Sequence, residues 1–198
     1  MVFPVDYRNE ILTWHRVVIH TFIAFVFLAL ILVYRSRIQH VLLSPLNVFF
    51  RSTKPKGALT PINLETAESY GASKIEHFTW KQLLDLEACT RCGRCQDNCP
   101  ANISGKRLSP KNLIQDLKTH MNEVYPIPFW PRPKEPRRDM INDAVTQESV
   151  WDCTTCRACM ENCPVFNEHI PLIVEMRRQL MIRGEVSPGV QDMLTGLT

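Results

Sequence analysis

All eight cysteines of this 198-residue chain fall in two short runs of the same form. The first is Cys89-Thr-Arg-Cys92-Gly-Arg-Cys95-Gln-Asp-Asn-Cys99-Pro100, the second Cys153-Thr-Thr-Cys156-Arg-Ala-Cys159-Met-Glu-Asn-Cys163-Pro164. Both read C-x2-C-x2-C-x3-C-P at an offset of 64 residues, and they also share Thr90/Thr154 and Asn98/Asn162. Three cysteines at intervals of three wrap a loop around one face of an iron–sulfur cubane. The fourth, followed by proline, turns away and ligates the other cluster in two-cluster ferredoxins. The spacing therefore predicts one 4Fe–4S cluster on Cys89, Cys92, Cys95 and Cys163, and a second on Cys153, Cys156, Cys159 and Cys99. Gly93 and Ala158 are the small residues expected to let backbone amides approach the sulfides. Pro100 and Pro164 lack an N–H and fix the direction in which the chain leaves. Structural zinc uses paired knuckles separated by a longer loop, and a disulfide scaffold needs an oxidising compartment.

The compartment is read from the other end of the chain. Val17 to Tyr34 runs VVIHTFIAFVFLALILVY without a formal charge, bracketed by Trp14 and Tyr34. Eighteen helical residues give ~27 Å, close to a ~30 Å hydrocarbon core. Asp6 and Glu10 ahead of the run, and no small-residue cleavage site after it, argue against a signal peptide. Arg35, Arg37, Arg51, Lys54 and Lys56 follow the run with no acid before Glu65, so the positive-inside rule places the later part in the cytoplasm. The expectation is a single-pass protein of the cytoplasmic membrane with its N-terminus outside and its cysteines inside. His20 and Thr21 are costly towards lipid and are expected to face a partner helix. Residues 41–50, apolar but interrupted by Pro45, are expected to lie along the interface.

The formal net charge of +3 is a sum of unlike parts: +5 over residues 1–64 and −2 over residues 65–198. It gives no case for nucleic-acid binding. Seven glycines, with neither G-x-G-x-x-G nor G-x-x-x-x-G-K, argue against a nucleotide fold. Thr79–Leu86 reads as a helix leading into Cys89. Ser109-Pro110 supplies a cap and first residue for a helix carrying Leu113, Ile114, Leu117 and Met121. Further helices are expected from about Asp139 to Val150, and over Leu172, Ile173, Met176, Leu180 and Met181. No sustained β alternation appears. Tyr125 to Arg138, proline-rich throughout, reads as an extended crossover or a docking strip using Phe129 and Trp130.

The fold class is thus all-α: one N-terminal transmembrane helix, then an α-helical two-cluster ferredoxin domain. The expected division is 1–50, transmembrane helix (about 15–36) with interfacial segment; 51–76, linker; 77–185, ferredoxin domain; and 186–198, C-terminal tail.

SPLNVFFR (44–51), KPKGALTPINLE (54–65), FTWKQLLDLEACTRCGRCQDNCPA (78–101), LSPKNLIQDL (108–117) and CTTCRACMENCPVFNEHIPLIVEMRR (153–178) resemble the membrane-bound heterodisulfide-reductase-related iron–sulfur oxidoreductases, which include enzymes linking electron-transfer flavoprotein to menaquinone. The resemblance covers roughly residues 15–190. In that family a cytochrome-b-like membrane domain precedes the ferredoxin domain and two cysteine-rich CCG domains follow it. This chain holds one spanning helix, resembling the last of the membrane domain, and no CC-x-G sequence, so catalytic or flavin-linked chemistry is expected outside it.

The resemblance implies an electron-transfer subunit rather than an isolated enzyme. It would relay single electrons between a soluble partner, an electron-transfer-flavoprotein-like or CCG-domain subunit, and a quinone or haem b site shared with membrane subunits carrying further helices. The alternative is the small iron–sulfur subunit of a heterodisulfide- or succinate-type reductase with its active site on a partner. The family's last membrane helix carries histidine haem ligands, which makes His20 a candidate. His40 stands ~200° away around a helix and does not share its face; His15 is another candidate. His77 and His169 are expected to be structural.

Overall fold

The apolar N-terminal run becomes a helix longer than the run itself. The computed structural model describes residues 5–35, 39–59, 61–62, 70–125, 138–186 and 188–196. It divides into two units, Met1–Leu42 and Leu43–Thr198.

In the first unit, α1 (Val5–Arg35) is a single helix, of which Glu10–Leu32 is long and apolar enough to cross a membrane. Those 23 residues rise about 34 Å, which spans the hydrocarbon core more fully than the eighteen of the uncharged run. Its large apolar side chains, Phe22, Phe25 and Phe27 among them, are exposed. The two polar residues inside it are served by their own helix. Thr21 Oγ1 lies 2.9 Å from both the Val17 and the Val18 carbonyls, and His20 Nδ1 donates to the Arg16 carbonyl at 2.6 Å. This back-bonding lowers the cost of placing both residues in an apolar helix.

The division between units falls within α2 (Gln39–Phe49), which continues through Pro45 instead of breaking there. Short helices follow: α3 (Trp80–Ala88), α4 (Arg94–Asp97), α5 (Pro100–Ile103), α6 (Pro110–Val124), α7 (Gln147–Trp151), α8 (Ala158–Glu161), α9 (His169–Ile182) and α10 (Pro188–Thr195). Among the described residues there is no strand, only an isolated bridge between Ile141 and Val145.

The helix starts are written in side chains. Thr79 and Gln82 form a reciprocal capping box on α3, with Thr79 N donating to Gln82 Oε1 at 2.8 Å. Ser109 Oγ accepts from Asn112 N at 3.2 Å ahead of Pro110, as its sequence position predicts.

α3 packs on α6, and α7 on α9. Leu86, Ile114, Leu117, Met140, Val150, Leu172, Ile173, Met176 and Leu180 form the core between them. Each such side chain contributes about 1.5–3 kcal/mol by leaving water.

One expectation is revised. The helix expected from about Asp139 to Val150 is a tight turn followed by a shorter helix. Asn142 is left-handed (φ 72°), Asp139 Oδ1 accepts from Ile141 N, and the helix starts only after its cap Thr146. Side chains that bond their own backbone outcompete helix propagation here, although Met140, Ile141 and Val145 are buried as their pattern indicated. Within residues 51–76, Ala72, Ser73 and Ile75 are buried, and α10 lies within residues 186–198. The proline-rich strip with Phe129 and Trp130 lies outside the described residues.

Gly71 shows how closely the start of this core is fitted. Its φ is +88°, and a Cβ there would stand 2.4 Å from the Glu175 carbonyl oxygen in α9, to which Ala72 N donates. Gly71→Ala is expected to destabilise the domain by about 2–4 kcal/mol, through backbone collision and left-handed strain together. Thermal melting of the detergent-solubilised protein checks this; an unchanged midpoint would contradict it.

Candidate metal centre

Each cysteine run begins where a helix stops. Cys89 is the C-cap of α3, and Cys153 follows α7 by one residue. The backbone then twists twice into the left-handed region, at Arg91 (φ 56°) and Gly93 (φ 87°) in the first run, and at Thr155 (φ 53°) and Arg157 (φ 67°) in the second. Gly93 and Arg157 cap four-residue helices, α4 and α8, that carry Cys95 and Cys159. Asn98 Nδ2 donates to the Arg94 carbonyl at 2.9 Å, and Asn162 Nδ2 to the Ala158 carbonyl at 2.9 Å. The sequence duplication is therefore a duplication of backbone. At the 64-residue offset the counterpart of Gly93 is Arg157, held at positive φ without being glycine. A side chain held at positive φ costs about 1 kcal/mol, which the loop tolerates for the turn it gives.

After the fourth cysteine the copies diverge. Cys99-Pro100 runs into α5, whereas Cys163-Pro164 enters a turn with Phe166 left-handed (φ 57°). Asn167 N donates to Cys163 Sγ at 3.3 Å, and Thr155 N to Cys153 Sγ at 3.3 Å.

The thiols influence one another. Burial pushes Cys95 up to about 12, and the next contributors are Cys89, Cys163 and Cys92. Burial likewise pushes Cys159 up to about 12, followed by Cys153, Cys95, Cys99 and Cys156. Cys163 is raised by burial and by Cys89 and Cys92, and eased by amide donors from Asn167 and Val165. Cys163 is thus among the thiols acting on Cys95, and Cys99 and Cys95 are among those acting on Cys159. α4 packs on α8, and Cys95, Cys159 and Ile170 share a small buried cluster there.

Buried thiols that resist ionisation need a positive core to become thiolates, and an iron–sulfur cluster supplies one. Among the described residues, no three His, Cys, Asp or Glu side chains converge closely enough for a single ion. A cubane takes one thiolate at each of its four irons. In each run the second cysteine, Cys92 or Cys156, is exposed, while Cys95 and Cys159 are buried.

Basic side chains that the sequence patterns did not single out reach the same loops. Arg177 on α9 donates to the Val150 carbonyl at 2.8 Å and to that of Cys153, and lies 5.3 Å over the Trp151 ring. Lys118 on α6 reaches the Glu87 carbonyl at 3.3 Å and its carboxylate at 2.8 Å. Each helix end that delivers a first cysteine therefore meets a cation, favourable for the helix and for a negatively charged cluster.

A buried polar network stands beside Cys163: Asn47, Asp85 and Asn167, with Lys81 2.7 Å from Asp85 Oδ1. Burial pushes the Asp85 carboxyl up to about 6, against the opposing charge and hydrogen bond of Lys81. Neighbouring His169 is pushed down to about 4 by burial, so it stays neutral, and His77 Nδ1 accepts from Ser73 N. In α1, His20 Nδ1 donates to its own helix. His40 lies in α2.

A cavity of about 660 Å³ opens beside the second run, lined by Arg51, Lys54, Thr155, Arg157, Met160 and Phe166 among others.

Residues 81–164 match the family described as the 4Fe-4S dicluster domain. The EtfAB:quinone oxidoreductase of Syntrophomonas wolfei subsp. wolfei is 42% identical, over 93% of the chain and 29% of its own length. A Chromohalobacter salexigens protein named "Probable membrane-anchored ferredoxin" is 38% identical, over 66% of the chain and 22% of its own length. A component of the dihydromethanophenazine:CoB–CoM heterodisulfide reductase of Methanosarcina mazei is 31% identical, over 62% of the chain and 30% of its own length. The chain spans less than a third of the length of these curated relatives. No solved structure matches it.

Asp85 gives a pH test. Its native carboxyl holds a proton more tightly than the unfolded chain does, at an ordinary 3.8. Its stabilising share is present below about pH 4 and lost as pH rises to about 6. Asp85→Asn should therefore gain on the parent between those values, by roughly 3 kcal/mol at most, and hold that gain above them. Denaturant midpoints of both proteins at about pH 4.5 and about pH 7.5 measure it; a difference that does not change with pH would refute it.

Proposed function

From a chain that carries a 4Fe–4S dicluster domain and is homologous to iron–sulfur oxidoreductases and heterodisulfide-reductase subunits, we propose a membrane-anchored electron-transfer subunit. It passes single electrons between a soluble redox partner and a quinone or haem site in partner membrane helices. The reading is supported above all by the match of residues 81–164, which take in all eight cysteines, to the 4Fe-4S dicluster domain. Cys89, Cys92, Cys95 and Cys163 hold one cluster, and Cys153, Cys156, Cys159 and Cys99 the other. Each cluster, when bound, supplies a one-electron donor and acceptor.

The remaining residues place and tune those sites. Lys118 and Arg177 bring positive charge to the two loops, and burial of Cys95 and Cys159 keeps water from the inner corners. Exposed Cys92 and Cys156 mark the sides a partner approaches. The soluble partner is an electron-transfer-flavoprotein-like or CCG-domain subunit.

α1 is the membrane anchor, with Arg35, Arg37, Arg51, Lys54 and Lys56 keeping the redox domain on the cytoplasmic side. Exposed Phe49 and Trp80, linked edge-to-face through Phe50, suit a membrane interface. His20 Nε2 is the position in α1 that a haem shared with a membrane subunit would take.

The likeness to a heterodisulfide reductase component supports a second reading, in which the same relay feeds a reductase site on a partner. The protein that co-purifies with the chain separates the two.

The test is iron analysis and electron paramagnetic resonance of the detergent-solubilised chain. About eight irons per chain and two signals that titrate separately are expected. Cys92→Ser and Cys163→Ser should abolish or alter the same signal, Cys156→Ser and Cys99→Ser the other, each cluster loss leaving about four irons. Bound zinc in place of iron would overturn the reading, and pairing of Cys163 with Cys156 would overturn the crossed ligation.

A further inference from the structure

Cys163 sits in a turn that the chain does not hold by itself. The turn returns at once after Pro164, with Phe166 N donating to the Cys163 carbonyl at 3.2 Å and Phe166 in the left-handed region at φ 57°. An aromatic residue in that region is strained and persists only where its surroundings fix it. They do so from far away in sequence. Asn47, on α2 and fully buried, places Nδ2 2.9 Å from the Val165 carbonyl and 3.0 Å from Asn167 Oδ1, one acceptor on each side of Phe166. The same nitrogen lies 2.9 Å from Asp85 Oδ1, and Asn167 Nδ2 donates to the Asp85 carbonyl at 2.8 Å. Held this way, Asn167 N points at Cys163 Sγ, 3.3 Å away.

We propose that Asn47 is a positioning residue for the cluster that Cys163 ligates: it clamps the 165–167 turn and so aims the Asn167 amide at the thiolate. The inference rests on the proposed reading of Cys163 as a cluster ligand. An amide donating to a ligand sulfur stabilises the reduced, more negative cluster and raises its potential. The clamp exists at only one of the two fourth cysteines. Cys99 instead starts a helix, its carbonyl accepting from Ile103 N at 2.9 Å. Asn47 therefore sets one cluster apart from the other. It lies in the part of α2 that belongs to the same unit as the cysteines.

The experiment is a redox titration followed by electron paramagnetic resonance on the detergent-solubilised full chain, comparing the parent with Asn47→Ala and Asn167→Ala. Cys163→Ser first identifies which signal belongs to the Cys163 cluster. In both variants that signal should titrate at lower potential, with the reduced-to-oxidised ratio at a fixed poise falling roughly three- to ten-fold. The other signal should keep its midpoint, and iron content should stay at the parent value. A merely structural role would lower iron content or melting temperature without moving one midpoint selectively. Unchanged midpoints, or an equal shift of both signals, would overturn the proposal. Should Asn47→Ala lose its clusters, Asn47→Ser, which keeps one short donor, is read by the same criterion. If Cys92→Ser affects the signal that Cys163→Ser leaves alone, the crossed ligation fails while the clamp is still scored on the Cys163 signal.

Discussion

The burial of thiols in the two cysteine loops is the constraint on which this domain depends. Desolvation first, then neighbouring thiols, opposes ionisation of Cys95 and Cys159, which are pushed up to about 12. Left as thiols, they are poor packing groups beside a small apolar core; as thiolates without a counter-charge they would force the loops apart. A cationic iron–sulfur core resolves the conflict, and its binding free energy then becomes part of the folding free energy. The short helices are consistent with this. α4, α5 and α8 have four residues each, far below the length at which an isolated helix holds itself.

Two layers of support surround the loops. The apolar layer consists of α3 on α6 and α7 on α9, which deliver Cys89 and Cys153 at helix ends. The polar layer is formed by Arg177, Lys118 and the Asn47–Asp85–Asn167 network, which spend their hydrogen bonds on backbone carbonyls around the loops. Rigid placement of this kind suits electron transfer, where the protein contributes distance and electrostatics rather than bond chemistry.

Much of this was legible in the sequence because it is local. Cysteine spacing, the Ser109-Pro110 cap and the apolar stripes of α6 and α9 all act within a few residues of one another. The turn at Asp139–Val145 misled because Met140, Ile141, Ala144 and Val145 have helical spacing, while Asn142 and Asp139 divert the backbone. The Asn47 clamp was invisible for a different reason. Its partners Val165 and Asn167 stand 118 and 120 residues away, and a single polar residue in an apolar stretch carries no period. Arg177 was hidden in the basic pair at 177–178, which reads as ordinary helix surface. The match of Gly93 to Arg157 shows the limit of reading residue types alone: the duplication kept a backbone torsion and let the side chain change.

The exposure of Cys92 and Cys156 carries a cost as well as a use. The corner left open for a partner is the corner water and small oxidants reach first, and exposed sulfur is where oxidative damage begins. Because both copies of the loop leave the same corner open, the two sites share one vulnerability. In the proposed relay, a partner docked at these two cysteines would therefore shield them as well as exchange electrons with them.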